Sequence, residues 1–275
     1  YGETEVYVSV EMDYLLGIAE QSRVDSEKPP SEIVAEVIAE SKLGELLGGE
    51  TTVAIAVENY SSPKAMTQTL KEIVKTLVEL IVPKERITII IGNGEHTKNS
   101  SPVIDAIKDS SDLSSVRILE HNRDSSDIVE LGSTNRGTLV QVNTSYHGAS
   151  LKIAVGETRL DQYMGFSGAH NAVVPGISSL ETITGNRKLF FDGKITPGVI
   201  ELNPIKEDAL EAVKMAGLDY AVNFVTNHAG RILAAHAGGA EETWGKAINS
   251  LSSHYEAHTE GNADIVIISA EIGRA

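Results

Sequence analysis

The 275-residue chain contains no cysteine. That excludes disulfides, thiolate nucleophiles and Cys-ligated metal or iron–sulfur sites. No apolar run approaches the ~18 residues that a membrane-spanning helix needs. The first residues, "YGETEVYVSV", carry no basic stretch followed by an apolar core, so no secretory signal is read there. Positive charge is scarce as well. Lys and Arg total 23 against 39 Asp and Glu, giving a formal net charge of −16. That field repels phosphate backbones and argues against a nucleic-acid partner, but a local site can still attract a small anion. A cytoplasmic protein is the default expectation. Tyr1 in place of an initiating Met reads as a trimmed chain.

Two phosphate-binding signatures are missing too. No Gly-Lys-Ser/Thr follows a glycine-rich turn, as a P-loop requires, and G-x-G-x-x-G spacing is absent. His147 and His170 do not belong to an H-x-x-x-H pair. A lone histidine is more often structural than a ligand, so a metal-free site is expected. His228, His236, His254 and His258 read as structural or solvated.

The chain is rich in short β-branched runs: "TTVAIAV" (51–57), "RITIII" (86–91), "SVRIL" (115–119), "LKIAV" (151–155), "YAVNFV" (220–225) and "ADIVIIS" (263–269). Continuous rather than alternating apolarity suits strands buried on both faces, as in a parallel sheet. Helical spacing lies between them. Met66, Leu70, Ile73, Val74, Leu77 and Ile81 form one stripe, and Ile33, Val34, Val37 and Ile38 another before Gly48-Gly49. Ser101-Pro102 and Asn203-Pro204 each offer a cap followed by proline at the first helical position. Ser178 and Glu181 fit a capping box, and Gly217 fits a helix stop. "GSTNRGTLVQVN" (132–143) reads as a turn into an added strand. Strand alternating with helix predicts a doubly wound, mainly parallel α/β sheet with helices on both faces. Without a repeat or a long linker, residues 1–275 are expected to form a single α/β domain.

In such sheets ligands gather beyond the carboxyl ends of the strands. The segments there are "ENYSSP" (58–63), "GNGEHTK" (92–98), His121 and "GETRLDQYMGFSGAHN" (156–171). His96 suits a general acid or base, because imidazole titrates near neutral pH; the alternative is a turn histidine bonded to a nearby carbonyl. Asp161 is a second acid/base candidate or a plain surface carboxylate. Gly165, Ser167, Gly168 and Ala169 allow close backbone approach to a ligand through N–H groups, although a tight strand-to-helix connection needs the same glycines.

Read in order, these motifs resemble the nickel-dependent lactate racemase family, specifically its N-terminal catalytic domain. The likeness runs from the "YG" opening through "ENYSSP", the Gly94-Glu95-His96 loop and "LGSTNRGTLVQVN". It continues into "GFSG…PGISSLETITGN" and "ELNPIKEDALEAVKMAGLDYAVNFV". The resemblance implies two α/β domains with the site between them, the second largely missing from this chain. It also implies an isomerase: a racemase or epimerase of a 2-hydroxy acid or related sugar acid. The family uses a nickel-pincer nucleotide, two catalytic histidines, an anchoring lysine, a nickel-binding histidine and a substrate-binding arginine.

Carried over by position, His96 is the first catalytic histidine and Asp161 replaces the second. Asp161 would need a raised pKa to serve as an acid. Asn171 replaces the lysine and Arg187 the nickel ligand. Asn59 and Ser62 stand where the family has a substrate-loop aspartate and arginine. Gly165, Ser167, Gly168, His170, Asn171 and Arg187 are thus the expected cofactor-pocket residues, in an altered pocket. His170 is the one neighbour able to substitute as a metal ligand. Arg187 suits a phosphate or carboxylate, or else caps its own helix. The alternatives are an inactive homologue that binds a nucleotide or anion, and a cofactor-free acid/base isomerase.

Overall fold

A computed structural model describes residues 9–17, 25–59, 61–94, 102–193, 195–255 and 261–266. From the N-terminus, helix α1 (Pro30–Glu40) precedes β1 (Val53–Glu58), α2 (Pro63–Glu79), β2 (Ile87–Gly92), α3 (Pro102–Lys108) and β3 (Arg117–Glu120). A hairpin of β4 (Ile128–Ser133) and β5 (Leu139–Asn143), then the single turn α4 (Thr144–His147), lead into β6 (Leu151–Glu157). A short ribbon follows, β7 (Leu160–Asp161) with β8 (Gly165–Phe166), and then the turn α5 (Ala169–Asn171). The chain finishes with α6 (Leu180–Lys188), α7 (Pro204–Ala216), β9 (Tyr220–Thr226), β10 (Ile232–Gly238) and α8 (Ala240–Tyr255).

The central sheet has the order β10-β9-β6-β1-β2-β3. All neighbours in it run parallel except β9 and β10. Strand order reverses at β1, which has β2 on one side and β6 on the other, creating a crevice at their carboxyl ends. The runs of β1, β2, β6 and β9 are buried on both faces, as their composition predicts, Val53 through Val57 being essentially inaccessible, whereas the edge strand β3 is only partly buried. One face packs on α1, α2 and α3, and the other on α5, α7 and α8. The sheet is therefore doubly wound.

The stripe of α2 explains its docking. Met66, Leu70, Ile73, Val74 and Leu77 are buried against the sheet, each stabilising the fold by about 1.5–3 kcal/mol. Ile81 does not extend that stripe. The helix ends at Glu79, and Ile81 lies beyond it at φ 68, 89% exposed. Two other expectations are corrected. The cap of α6 is Ser179, whose side chain accepts from Thr182 N–H, because Ser178 is drawn inward to donate to Val173 O. The sheet's far edge is β10, an antiparallel hairpin partner of β9. Residues 263–266 form no strand, Ile265 and Val266 being largely exposed, and 267–269 lie outside the described residues. No described helix is long and apolar enough to cross a membrane.

Asn203 performs two tasks at the start of α7. Its Oδ1 accepts from Lys206 N–H at 3.0 Å, and its Nδ2 donates to Tyr163 O at 2.7 Å, tying the helix to the β7–β8 ribbon. Gly217 closes the same helix at φ 87, as the sequence predicts. Asn203→Ala should lower the unfolding free energy by about 1–2 kcal/mol, measured by urea denaturation. Asn203→Ser, which keeps a cap acceptor, should lose less. Equal loss from both would show that the cap contributes nothing.

Candidate functional site

The parallel sheet brings the ends of β1, β2 and β6 to one edge of the molecule. Glu58 closes β1 and is buried, 3% exposed. Its Oε1 accepts from Glu157 N–H at 2.8 Å and from the Ser61 hydroxyl at 2.9 Å. Arg159 reaches back over both strand ends, with its guanidinium 3.5 Å from Glu58 and 3.6 Å from Glu157. Glu157 also accepts from Ser62 N–H at 3.1 Å and from the Thr226 hydroxyl. Across β2, Asn59 Nδ2 donates to Asn93 Oδ1 at 2.8 Å, and Asn93 Nδ2 to His121 O at 2.7 Å. His121 is a strut: its Nε2 meets Ser178 O at 3.0 Å, and burial lowers its pKa.

Ser62 is committed to the fold. Its hydroxyl caps α2 by accepting from Ala65 N–H and donates to Gly230 O at 2.9 Å. A cavity of about 500 Å³ opens beside Arg159, between the β7–β8 ribbon and the end of α8, with Thr158, Phe166 and Tyr255 in its walls.

The glycine-rich stretch after β6 packs backbone against backbone. A Cβ at Gly156 would stand 2.5 Å from Gly168 O, and one at Gly92 2.7 Å from the Gly176 carbonyl carbon. Gly165 adopts φ +81 beneath Val199 O. The N–H groups of this loop are engaged inside the protein. Ser167 N–H donates to Arg159 O, Gly168 N–H to Asn171 Oδ1, Ala169 N–H to Asn223 Oδ1 and Asn171 N–H to Gly168 O. The expectation that they face a ligand gives way to the tight-connection alternative: in the described geometry these glycines fit the loop to the sheet.

Asp161 stands at the turn of the ribbon. Its Oδ1 accepts from Tyr163 N–H at 2.8 Å and Met164 N–H at 2.7 Å. Arg187, near the end of α6, stacks over the Tyr163 ring with its guanidinium carbon 4.0 Å from the centroid. It also donates to Asn186 Oδ1 at 2.7 Å. Asp161, Tyr163 and Arg187 are thus brought together. His170 lies buried edge-on to Trp244, their ring centroids 4.5 Å apart. Burial pushes its pKa down to about 4, against the opposing pull of Asp161. No group of three or more His, Asp or Glu among the described residues could hold a metal ion. His96 lies outside the described residues.

Glu58, Glu157, Arg159 and Asn93 were not singled out from the sequence. The signal was present in one form: Glu58 and Glu157 each end an otherwise apolar run, where a buried strand meets the crevice.

Residues 1–197 match the model of the lactate racemase N-terminal domain. The lactate racemase of Thermoanaerobacterium thermosaccharolyticum is 27% identical over 84% of this chain and 55% of its own length. That of Lactiplantibacillus plantarum is 26% identical over 74% of this chain and 49% of its own. The chain therefore spans about half the length of these relatives. Among solved structures, the apoprotein of the T. thermosaccharolyticum lactate racemase superposes with a TM-score of 0.74 at 22% identity, covering 92% of this chain and 61% of that one. A Thermotoga maritima protein gives 0.63 at 17%, covering 82% and 57%.

Burial raises the pKa of Glu58 more than Arg159 and the N–H donor lower it. With its folded pKa above the unfolded value, the folded chain holds the extra proton. The stability this group contributes is fully present below the unfolded pKa and is lost as pH rises through the folded one. The unfolding free energy of wild type minus that of Glu58→Gln should therefore fall as pH increases from the ordinary carboxylate range toward neutrality. Urea titrations across that range check it, and a constant difference would rule out a raised Glu58 pKa.

Proposed function

The chain belongs to the lactate racemase N-terminal domain family, and from that premise we propose that it is an isomerase inverting a stereocentre in a 2-hydroxy acid or related sugar acid, with an altered cofactor site. The observations that support this most are Tyr163 N–H donating to Asp161 Oδ1 and Arg187 stacking over the Tyr163 ring, which bring a carboxylate and a guanidinium to one residue. A carboxylate able to exchange protons and a cation shaped for a carboxylate stand on neighbouring segments.

The nickel-pincer nucleotide that the family implies does not fit these residues. Asn171 offers a non-nucleophilic amide whose oxygen already accepts from Gly168 N–H. Arg187 is a cation with no lone pair for a metal. No step is therefore routed through that group. In this reading Arg187 binds the substrate carboxylate, held in orientation by the Tyr163 ring and Asn186. By the family resemblance, His96 and Asp161 supply the acid/base pair. One removes the proton from the α-carbon on one face, the other returns a proton on the opposite face, and the neutralised carboxylate takes up the intermediate charge. The two N–H donors fix Asp161 Oδ1, leaving Oδ2 to face the substrate.

The test is proton exchange at the α-carbon in D₂O, followed by NMR over a panel of 2-hydroxy acids and sugar acids, with metal analysis of the same preparation. His96→Ala and Asp161→Asn should each cost on the order of 10²–10⁴ in rate. Arg187→Met should chiefly raise KM, and nickel should be substoichiometric. Stoichiometric nickel would overturn the altered-site reading. Wild-type rates in both acid/base variants would overturn the mechanism. Ligand binding without exchange on any acid would point to an inactive homologue.

A further inference from the structure

Ile81 stands where a helix end favours glycine. Beyond α2, Val82 N–H donates to Leu77 O at 2.9 Å and Ile81 N–H to Val78 O at 3.0 Å, the two bonds that close a helix through a left-handed residue. The reversal returns Val82 to the same core cluster as Leu77, with Ile81 at φ 68. Glycine adopts that conformation freely, whereas a β-branched side chain is strained in it. Burial does not offset the strain, because Ile81 is 89% exposed.

Val78 and Leu80 beside it are exposed too, as is Leu46 on the single 3₁₀ turn Leu43–Leu46. That turn lies against the end of α2, since a Cβ at Gly44 would stand 3.5 Å from Leu80 Cδ2. The patch sits where the chain enters β1 and β2, at the amino-terminal ends of the strands and away from the carboxyl ends. Its charge differs from that of the chain as a whole. Residues 42–50 and 78–86 carry three cations and four carboxylates, whereas the whole chain has 23 against 39. At the rim Lys42 pairs with Glu45 and Arg86 with Glu50. A strongly basic or acidic partner meets no matching field here. A second copy does, because a two-fold contact lets each copy's cations face the other's carboxylates while the same apolar centre meets itself.

We infer that this patch is an interaction surface for a second copy of the chain, with Ile81 as its central contact. The closed turn fixes the direction of that side chain, so little conformational freedom is lost when it docks. The surface lies apart from the proposed isomerase chemistry and does not depend on it.

Sedimentation velocity from about 10 µM to 1 mM protein should show a reversible monomer–dimer equilibrium, half-formed on the order of 100 µM, as a small interface gives. Ile81→Gly removes the contact and relaxes the turn, so two opposite changes should appear together. Association should weaken about tenfold, and the melting temperature of dilute, monomeric protein should rise by about 2–4 °C. Val78→Glu, on the exposed face of α2, leaves the turn intact. It should weaken association as much, with wild-type circular dichroism and no gain in melting temperature. A monomer throughout the range overturns the proposal, whatever other partner then covers the patch. A dimer that both variants leave unchanged lies on another face and overturns it too. A lower melting temperature for Ile81→Gly would show that Ile81 serves the monomer's own fold, and would overturn it as well.

Discussion

The contact on which the candidate site depends is the approach of two backbones without side chains between them. β6 at Gly156 lies against Gly168, and β2 at Gly92 against Gly176. A single Cβ at either strand position would overlap main-chain atoms of the opposing segment, which cannot rotate aside as a side chain can. The stretch 165–176 is thereby pressed onto the carboxyl ends of the parallel strands. Everything carried by that stretch inherits its position from those two contacts. Asn223 and Trp244 complete the clamp: Asn223 Oδ1 accepts from Ala169 N–H, and Trp244 Nε1 donates to Ser167 O.

This arrangement gives the loop two sides with different chemistry. At the turn of the ribbon before it, Asp161 accepts from Tyr163 N–H, and Arg187 of α6 stacks on the Tyr163 ring. Toward α8 it presents His170, held in an apolar setting that keeps the imidazole neutral. Adjacent residues in the chain, His170 and Asn171, therefore belong to different surroundings. The strand-end carboxylates add a further constraint. Glu58 and Glu157 are held in place by one guanidinium and by main-chain and hydroxyl donors, so the crevice floor is a polar network rather than an open cradle. Buried networks of this kind tolerate loss of a member poorly, because the partners left behind stay desolvated.

In the proposed reading, the chain keeps the family's glycine frame and changes the groups mounted on it, an amide at 171 and a guanidinium at 187 standing for the covalent anchor and the metal ligand. The frame has its own physical reason to persist, since it packs the loop onto the sheet whatever chemistry the loop carries.

The sequence by itself determined the sheet, its parallel sense and most helices, because these rest on local periodicity: buried runs such as 53–57, the α2 stripe, Asn203-Pro204 and Gly217. It also determined that Asp161, Asn171 and Arg187 follow the run at 151–155 in that order. Where the signal was local but the outcome was not, the tertiary structure decided. The sequence points to Ser178 as the cap through Ser178-x-x-Glu181, but packing of Ser178 against Val173 O leaves the cap to Ser179. The glycines at 165 and 168 suited a ligand cradle or a tight connection equally well, and only the positions of Gly156, Asn223 and Trp244 selected the connection. Arg159 meeting Glu58 across about a hundred residues, and His170 facing α8 rather than the crevice, follow from strand order and loop direction. Those are set by long-range packing, which leaves no periodic trace along the chain.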